Sequence, residues 1–304
     1  MLLSLHIWRL APALLIIATL ATTVSCTSSP RAGHSATVVS PKWSGNALVR
    51  VESGLARGAE GGADTLAWKG IAYAAPPVGE LRWRAPNAPT TEDGVYEANR
   101  FGEQCVQYSP VIRGRVTGSE DCLYLNIWRP ASILERLPVY VWIHGGGNSI
   151  GSANFVPDYY GHSLASKGNL VFVSVNHRLG PFGWLTDPAI RAQEDRADAS
   201  GNFGTLDLIQ ALTWIKNNIE SFGGDPTRVT IAGQSSGAIN VLSLLVSELA
   251  AGLFHRAIVQ SGAPNSSTVE AGDNASTALL SDEVEPRIRR RGLKDGEILT
   301  QRRY

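Results

Sequence analysis

The sequence predicts an α/β fold with a doubly wound, mostly parallel sheet, and three observations carry this prediction. Near-continuous apolar runs end in small or polar residues: LPVYVWIHGG, NLVFVSVNHR, RVTIAG and RAIVQSG. Such runs are typical of strands that are buried on both faces of a parallel sheet. Helix-like segments separate several of these runs, and the composition of 43% apolar and 18% charged residues is that of a globular protein. A formal net charge of zero argues against a nucleic-acid partner.

The first 26 residues are predicted to be a secretory signal. Arg9 is the only charged residue before the apolar run LAPALLIIATLA (residues 10–21), which is too short to span a bilayer. TVSC loosely resembles a bacterial lipobox, with Thr23 in place of the usual Leu, so Cys26 is a candidate lipid anchor. The alternatives are an ordinary cleaved signal or an uncleaved anchor. Residues 27–42 are predicted to be a linker. The protein is expected to be exported and to be secreted, periplasmic or a membrane-anchored lipoprotein.

Residues 46–130 contain short strand-like runs, ALVRVES, LAWKGIAYA and DCLYLNIW. The segment APPVGELRWRAPNAP between them is expected to be extended, because proline excludes helix and restricts the residue before it. If Cys26 is lipidated or removed, Cys105 and Cys122 form an even pair in an exported protein. A disulfide between them is the expected arrangement, and two buried free thiols are the alternative.

Two helices are predicted between the later strands. TLDLIQALTWIKNNIESF carries one apolar stripe at three-to-four spacing, and GAINVLSLLVSEL is more apolar. The stripe consists of Leu206, Ile209, Leu212, Ile215 and Ile219.

The domain is predicted to cover residues 43–265, followed by a charged tail over 266–304 with at most a short helix near Pro286. No further buried strand is predicted there, so RAIVQSG forms a sheet edge. An exposed edge of this kind favours self-association with another chain or aggregation.

The segment RVTIAGQSSGAINVL places Ser235 in a strand–turn–helix setting, between Gly233 and Gly237. In such an elbow the serine backbone is strained, its hydroxyl is exposed, and larger residues at the glycine positions would clash across the turn. The helix N-terminus then favours developing negative charge. Ser235 is therefore the candidate nucleophile; the alternative is a Ser/Gly turn without a chemical role.

The loop IHGGGN follows the strand LPVYVW. Backbone N–H groups of Gly146, Gly147 and Ser236 are candidate donors of an oxyanion hole, in which glycine lets the backbone approach the substrate closely. A flexible glycine loop is the alternative. The sequence contains no metal-ligand cluster, phosphate-binding loop or dinucleotide fingerprint, so no cofactor is expected.

Several long strings occur in a fixed order: KGIAYAAPPVGELRWRAP, SEDCLYLNIW, HGGG, VNHRLGPFGWL, GNFGTLDLIQAL, FGGDPTRVTIAGQSSGA and LFHRAIVQSG. Together they resemble the carboxylesterase type-B family, the cholinesterase-like branch of the α/β-hydrolases. The resemblance covers residues 46–264 and corresponds to the N-terminal half of that family. It implies the α/β-hydrolase fold and a serine carboxylic-ester hydrolase that acts on a small ester through an acyl-enzyme. It also implies Ser235 as the nucleophile, Gly146, Gly147 and Ser236 as oxyanion donors, and a Cys105–Cys122 disulfide.

The chain also departs from the pattern of this family. Gln234 and Ser236 flank the serine where the family usually has Glu and Ala. The loop between the two cysteines has no Trp that could hold a quaternary ammonium by cation–π attraction, and it carries Arg113 and Arg115. A choline ester is therefore not the expected substrate. His177 stands where the family commonly has Tyr and is interpreted as structural.

The acid and histidine of this family's triad follow the serine on later strands, for which this sequence has no counterpart. The chain is therefore expected to be a truncated or split member. His255 is the one histidine after Ser235, and it directly precedes the strand RAIVQSG. The elbow opens at the other end of the parallel sheet, so His255 and Ser235 are expected to lie about 20 Å apart at roughly 3.3 Å per residue. His144 is the alternative base. Two hypotheses follow: an active serine hydrolase, or an impaired or inactive hydrolase-like fragment with a binding role.

Overall fold

The computed structural model describes residues 43–279, apart from residues 92, 110, 111, 113, 133, 193, 194 and 265. The predicted signal (1–26) with Cys26, the linker (27–42), Arg113 and the tail beyond Leu279 lie outside the described residues. Among the described residues, no helix is long and apolar enough to cross a membrane.

The strands that were predicted from the apolar runs are all present. The described part of the chain contains these strands: β1 (Leu48–Val51), β2 (Gly54–Arg57), β3 (Ala59–Gly62), β4 (Thr65–Ala72), β5 (Val95–Glu97), β6 (Gln107–Tyr108), β7 (Val116–Thr117), β8 (Tyr124–Pro130), β9 (Leu137–Ile143), β10 (Val171–Val175), β11 (Gly224–Gln234) and β12 (Arg256–Gln260).

The main sheet has the order β12-β11-β9-β10-β8-β4-β3. The four strands β12, β11, β9 and β10 run parallel, whereas β8, β4 and β3 join by antiparallel pairs. Every second residue of β9 is buried, and all five residues of β10 are buried, as expected for inner strands. The predicted doubly wound α/β sheet is thereby confirmed, with its parallel half around the candidate site.

Along the chain, helices separate the consecutive parallel strands β9, β10, β11 and β12. The helix bounds are α1 (His162–Gly168), α2 (Gly180–Gly183), α3 (Pro188–Arg191), α4 (Phe203–Asn218), α5 (Ser236–Val246) and α6 (Val269–Leu279). Short 3₁₀ turns occupy Gly79–Leu81, Pro157–Tyr159, Asp198–Ser200, Ile219–Phe222 and Glu248–Ala250.

Helix α4 buries a wider face than its predicted stripe. Leu212, Ile215 and Ile219 are buried, but Leu206 and Ile209 are only half-buried. The buried face also includes Phe203, Gly204, Asp207, Leu208, Ala211, Trp214 and Asn218. The apolar stripe predicted too narrow a buried face, because a polar residue such as Asp207 is expected to face solvent. Asp207 is buried instead, since it accepts hydrogen bonds from the guanidinium and the backbone N–H of Arg178.

Strand β12 is the outermost strand of the sheet within the described residues. The prediction that it would be buried on both faces is wrong, since four of its five residues are exposed, including Ile258 and Val259. The prediction that it forms a sheet edge agrees with this topology. The apolar side chains of Leu245, Val246 and Leu249, in and just after the preceding helix α5, are exposed as well.

Helix α6 forms in a segment for which the sequence predicted only a solvated tail. Asp273 on this helix pairs with Arg191 and accepts a hydrogen bond from Thr186. Contacts of Asp273 with residues more than 80 positions away leave no local pattern, so the packing of this segment on the domain could not be predicted from the sequence.

Candidate active site

The elbow that contains Ser235 and the glycine loop 144–147 leave the same edge of the sheet. Ser235 follows the last residue of β11, and His144 follows the last residue of β9. These two strands are parallel neighbours, with Gly233 opposite Ile143. The crevice outside the carboxyl ends of parallel strands is the usual place for reactive groups in such sheets.

Ser235 has the strained backbone that the elbow pattern predicts. Its φ is 57° and its ψ is −124°, which a non-glycine residue seldom adopts. The surrounding structure fixes this conformation: the Ser235 N–H donates to Gln260 O at 2.9 Å, and Ser235 O accepts from the N–H groups of Ala238 and Ile239. The residue is half-buried, so its hydroxyl is accessible at the start of α5.

Both flanking glycines are required by close backbone packing. A Cβ on Gly233 would lie 2.4 Å from the carbonyl carbon and oxygen of Gly237. A Cβ on Gly237 would lie 2.2 Å from Ile143 O and 2.6 Å from His144 O. The elbow is thus pressed against the end of β9, which explains why the G-x-S-x-G spacing brings the two loops together.

The glycine loop presents backbone donors next to the elbow. Gly146 has φ 118°, and a Cβ there would lie 2.1 Å from Ile150 O, whereas Gly147 has φ 64° and open space around it. Among the hydrogen bonds of the described residues, none uses the N–H of Gly146 or Gly147. The Ser236 N–H is at the first position of α5, where helix N–H groups have no intrahelical acceptor. These three groups therefore remain the candidate oxyanion donors.

Side-chain amides hold this loop, and sequence reasoning did not find them. Gln107 donates to Gly151 O at 2.9 Å and accepts from Gly151 N–H at 2.8 Å. Gln107 lies between Cys105 and Cys122, which are joined by a disulfide, and it also donates to Cys105 O. The loop closed by the disulfide therefore holds Gly151, four residues after the glycine loop.

His144 and His177 form a buried stacked pair beneath the glycine loop, with ring centroids 4.7 Å apart. Each Nδ1 bonds a backbone carbonyl, of Gly145 and of Arg178 respectively, and each Nε2 is buried without a partner. Burial lowers the pKa of His144 to about 3, with a further contribution from His177, and burial lowers the pKa of His177 to about 4. Both rings are neutral at pH 7, and His144 is too weak and too enclosed to serve as a general base there.

His255 lies at the opposite edge of the sheet from the elbow. Its N–H donates to Val229 O, and its Nδ1 accepts from Val229 N–H, near the beginning of the paired part of β11. Six residues separate Val229 from Ser235, or about 20 Å at roughly 3.3 Å each. Ser235 Oγ makes no hydrogen bond within the described part of the chain. In that part there is also no cluster of three or more potential metal ligands.

The chain is similar to a known family of proteins over most of the described residues. The carboxylesterase family model matches residues 46–285, a range that includes both loops of the site. The chain belongs to the carboxylesterase family. Its match to this carboxylesterase model extends into helix α6, beyond the boundary at 265 that was predicted from sequence.

Two curated esterases are close relatives in sequence. Fumonisin B1 esterase from Sphingopyxis macrogoltabida is 46% identical over 218 residues, which cover 70% of this chain and 39% of that protein. Para-nitrobenzyl esterase from Bacillus subtilis (strain 168) is 42% identical over 217 residues, covering 70% of this chain and 43% of that protein. The chain thus matches less than half the length of each of these carboxylesterases.

Solved carboxylesterase structures share the fold. A PNB esterase superimposes with a TM-score of 0.71 at 38% identity, over 83% of this chain and 52% of that structure. A carboxylesterase from Geobacillus stearothermophilus gives a TM-score of 0.71 at 39% identity, over 84% of this chain and 53% of its own. The predicted α/β-hydrolase fold and family resemblance are confirmed.

Proposed function

We propose that this chain carries the acyl-transfer site of a serine carboxylic-ester hydrolase, with Ser235 as the nucleophile. The observation that carries the proposal is the strained Ser235, held between two glycines, beside a loop whose Gly146 and Gly147 N–H groups have no acceptor among the described residues. The family relatives named above as esterases support the same class of reaction.

In this mechanism Ser235 Oγ attacks the carbonyl carbon of a small ester. The N–H groups of Gly146, Gly147 and Ser236 hold the oxyanion of the tetrahedral intermediate, and losing one such donor typically costs about 10²–10³ in rate. Collapse of the intermediate expels the alcohol, which takes up the proton from the serine hydroxyl, and leaves an acyl-enzyme. Water then attacks the acyl carbonyl, releases the acid and restores the hydroxyl.

A second candidate is a catalytically impaired member with a binding role. No base among the described residues is hydrogen-bonded to Ser235 Oγ. His144 has a pKa of about 3 and is buried, and His255 lies at the other sheet edge. A positioned base contributes about 10²–10⁴ to such reactions. The exposed amide of Gln234 beside the nucleophile also leaves that position uncharged.

A fluorophosphonate probe separates the two candidates. We expect Ser235 in the full chain to react about 10²–10⁴-fold more slowly than the Bacillus para-nitrobenzyl esterase measured in parallel, because of the missing base. S235A is the background control. A rate equal to that of the relative would refute impairment and require a base from outside the described residues. A rate no higher than that of S235A, in folded protein, would overturn Ser235 as the nucleophile.

We also infer export, with residues 1–26 as the signal and Cys26 as the candidate lipid anchor. The support is the apolar run 10–21 and the Cys105–Cys122 disulfide, since disulfides persist in oxidising compartments. Intact-mass analysis of protein expressed in a bacterial host, with C26S as the control, tests this. A mature chain beginning at an acylated Cys26 indicates a lipoprotein, a cleaved unacylated chain indicates a secreted or periplasmic form, and an unprocessed cytosolic chain would contradict export.

A further inference from the structure

Asn148 and Asn240 form a reciprocal pair of side-chain hydrogen bonds across the candidate site. Asn148 Nδ2 donates to Asn240 Oδ1 at 3.2 Å, and Asn240 Nδ2 donates to Asn148 Oδ1 at 2.9 Å. Asn148 directly follows the glycines of the loop, and Asn240 lies on α5, buried to 97%. The pair therefore links the glycine loop directly to the helix that begins at the nucleophile.

The conformation of Asn148 suits this role. Its φ of 55° is in the left-handed region, which asparagine tolerates better than most residues with a side chain. Its backbone carbonyl accepts the N–H of Gly180 at 2.7 Å. The backbone of Asn148 is thus held on one side by the residue that begins α2, while its amide reaches α5 on the other.

Both members of the pair lie close in the chain to the groups of the proposed reaction. Asn240 follows Ser235 by five residues, or about 7.5 Å along a helix that rises roughly 1.5 Å per residue. The candidate donors Gly146 and Gly147 precede Asn148 by two residues and one residue. Since α5 is a continuous helix from Ser236 to Val246, fixing Asn148 on Asn240 also fixes the donors with respect to Ser235. A misplacement of about 1 Å at such a site can cost about 10²-fold in rate.

We propose that Asn148 and Asn240 are positioning residues that set the placement of the oxyanion donors relative to Ser235. This inference rests on the proposed function, because it assigns a role to the amide pair in the same acyl-transfer site. It predicts that the two amides act as one unit, so that losing either one releases the loop.

Three variants of the full chain test the pair. N148G removes one amide while glycine keeps the left-handed backbone free of strain, N240A removes the other, and N148G/N240A removes both. S243A is the matched control, because Ser243 Oγ bonds Ile239 O on the same helix without reaching the loop. The measurement is Ser235 phosphonylation by a fluorophosphonate, separated into the dissociation constant of the probe and the rate constant of the covalent step.

We expect either single variant to slow the covalent step about 10- to 100-fold, with probe binding changed far less. The double variant should be no slower than the slower single one, as expected for residues that act as a unit. S243A should react at the wild-type rate. Unchanged covalent rates in N148G and N240A, or single effects that multiply in the double variant, would overturn the proposal.

Amide hydrogen exchange of Ser149 and Ile150, whose N–H groups donate to Gly146 O, tests the pair without any reaction. Exchange should rise by roughly ten-fold in N148G and in N240A, the scale of losing buried hydrogen bonds, and should not change in S243A. If wild-type Ser235 reacts no faster than S235A, the proposed function fails, but this exchange still decides whether the amide pair holds the loop. Unchanged exchange in both variants would show that the Asn148–Asn240 pair does not hold the loop.

Discussion

Lowering the pH from 8 to 5 is expected to destabilise the fold through the stacked pair His144–His177. Both rings are buried, and their pKa values in the folded state are about 3 and about 4, below the ordinary value of 6.5. Protonating both rings would place two positive charges in stacked rings whose centroids lie 4.7 Å apart. The unfolded chain takes up these protons as the pH falls through 6.5, while the folded chain does not. Stability is therefore lost below about pH 6.5, and the loss continues until the pH reaches the folded-state pKa values.

The size of the effect at pH 5 follows from the unfolded-state pKa, because both folded-state values lie below 5. At pH 5 the pH is about 1.5 units below the unfolded-state pKa of each histidine. One unit corresponds to about 1.36 kcal/mol, so each histidine contributes about 2 kcal/mol. The pair together lowers the free energy of unfolding by about 4 kcal/mol between pH 8 and pH 5. Carboxyl groups, with ordinary pKa values of about 4, titrate mostly below this window.

Urea unfolding followed by near-UV circular dichroism at pH 8 and pH 5 measures this loss. H177Q removes one of the two titrating rings and should reduce the pH-dependent loss from about 4 to about 2 kcal/mol. V175A, at a fully buried position of β10, is the control: it should lower stability at both pH values and leave their difference unchanged. A wild-type loss below about 1 kcal/mol, or an H177Q loss equal to that of the wild type, would refute the reasoning.

Three further predictions concern the site and the sheet edge. G146A should slow Ser235 phosphonylation by at least about 10² and G147A by less, because only at Gly146 would a Cβ lie 2.1 Å from a carbonyl oxygen; equal effects would contradict this. C105S/C122S should lower the free energy of unfolding by about 3 kcal/mol in urea melts under oxidising conditions, and an unchanged value would show that the loop does not constrain the unfolded chain. I258K should reduce self-association in light scattering of the full chain, because it adds a charge to the exposed edge strand β12; unchanged scattering would argue against edge pairing.

The parts of this site that the sequence predicted are local in the chain. The elbow is encoded within fifteen residues: an apolar strand, two glycines around Ser235, and an apolar helix. The steric reason for Gly233 and Gly237 is a backbone contact inside this turn and with the end of β9. Because such contacts exclude any larger side chain, they leave a spacing in the sequence, and that spacing was sufficient to place both candidate loops at one edge of the sheet.

The supporting contacts could not be predicted in this way. Gln107 and Gly151 are 44 residues apart, and Asn148 and Asn240 are 92 residues apart. An amide side chain satisfies any polar neighbour within reach, so neither its identity nor its spacing indicates a partner. The stacking of His144 on His177 was hidden for a related reason: each histidine follows a buried strand, and only the pairing of β9 with β10 brings the rings together.

These contacts also separate the two requirements of the proposed chemistry. The Ser235 N–H is held by Gln260 O, Gly151 is held by Gln107, and Asn148 is held by Asn240, so the described residues alone fix the elbow relative to the glycine loop. Stabilisation of an oxyanion depends on this preorganised backbone and not on a base. Removal of the serine proton depends on a base, and none of the described residues is hydrogen-bonded to Ser235 Oγ. Activity remaining in such a site is expected to be about 10³–10⁴ over the uncatalysed reaction. Under the proposed function, a base that reached Ser235 would therefore meet candidate oxyanion donors that are already held in place, and the added rate would measure proton transfer alone.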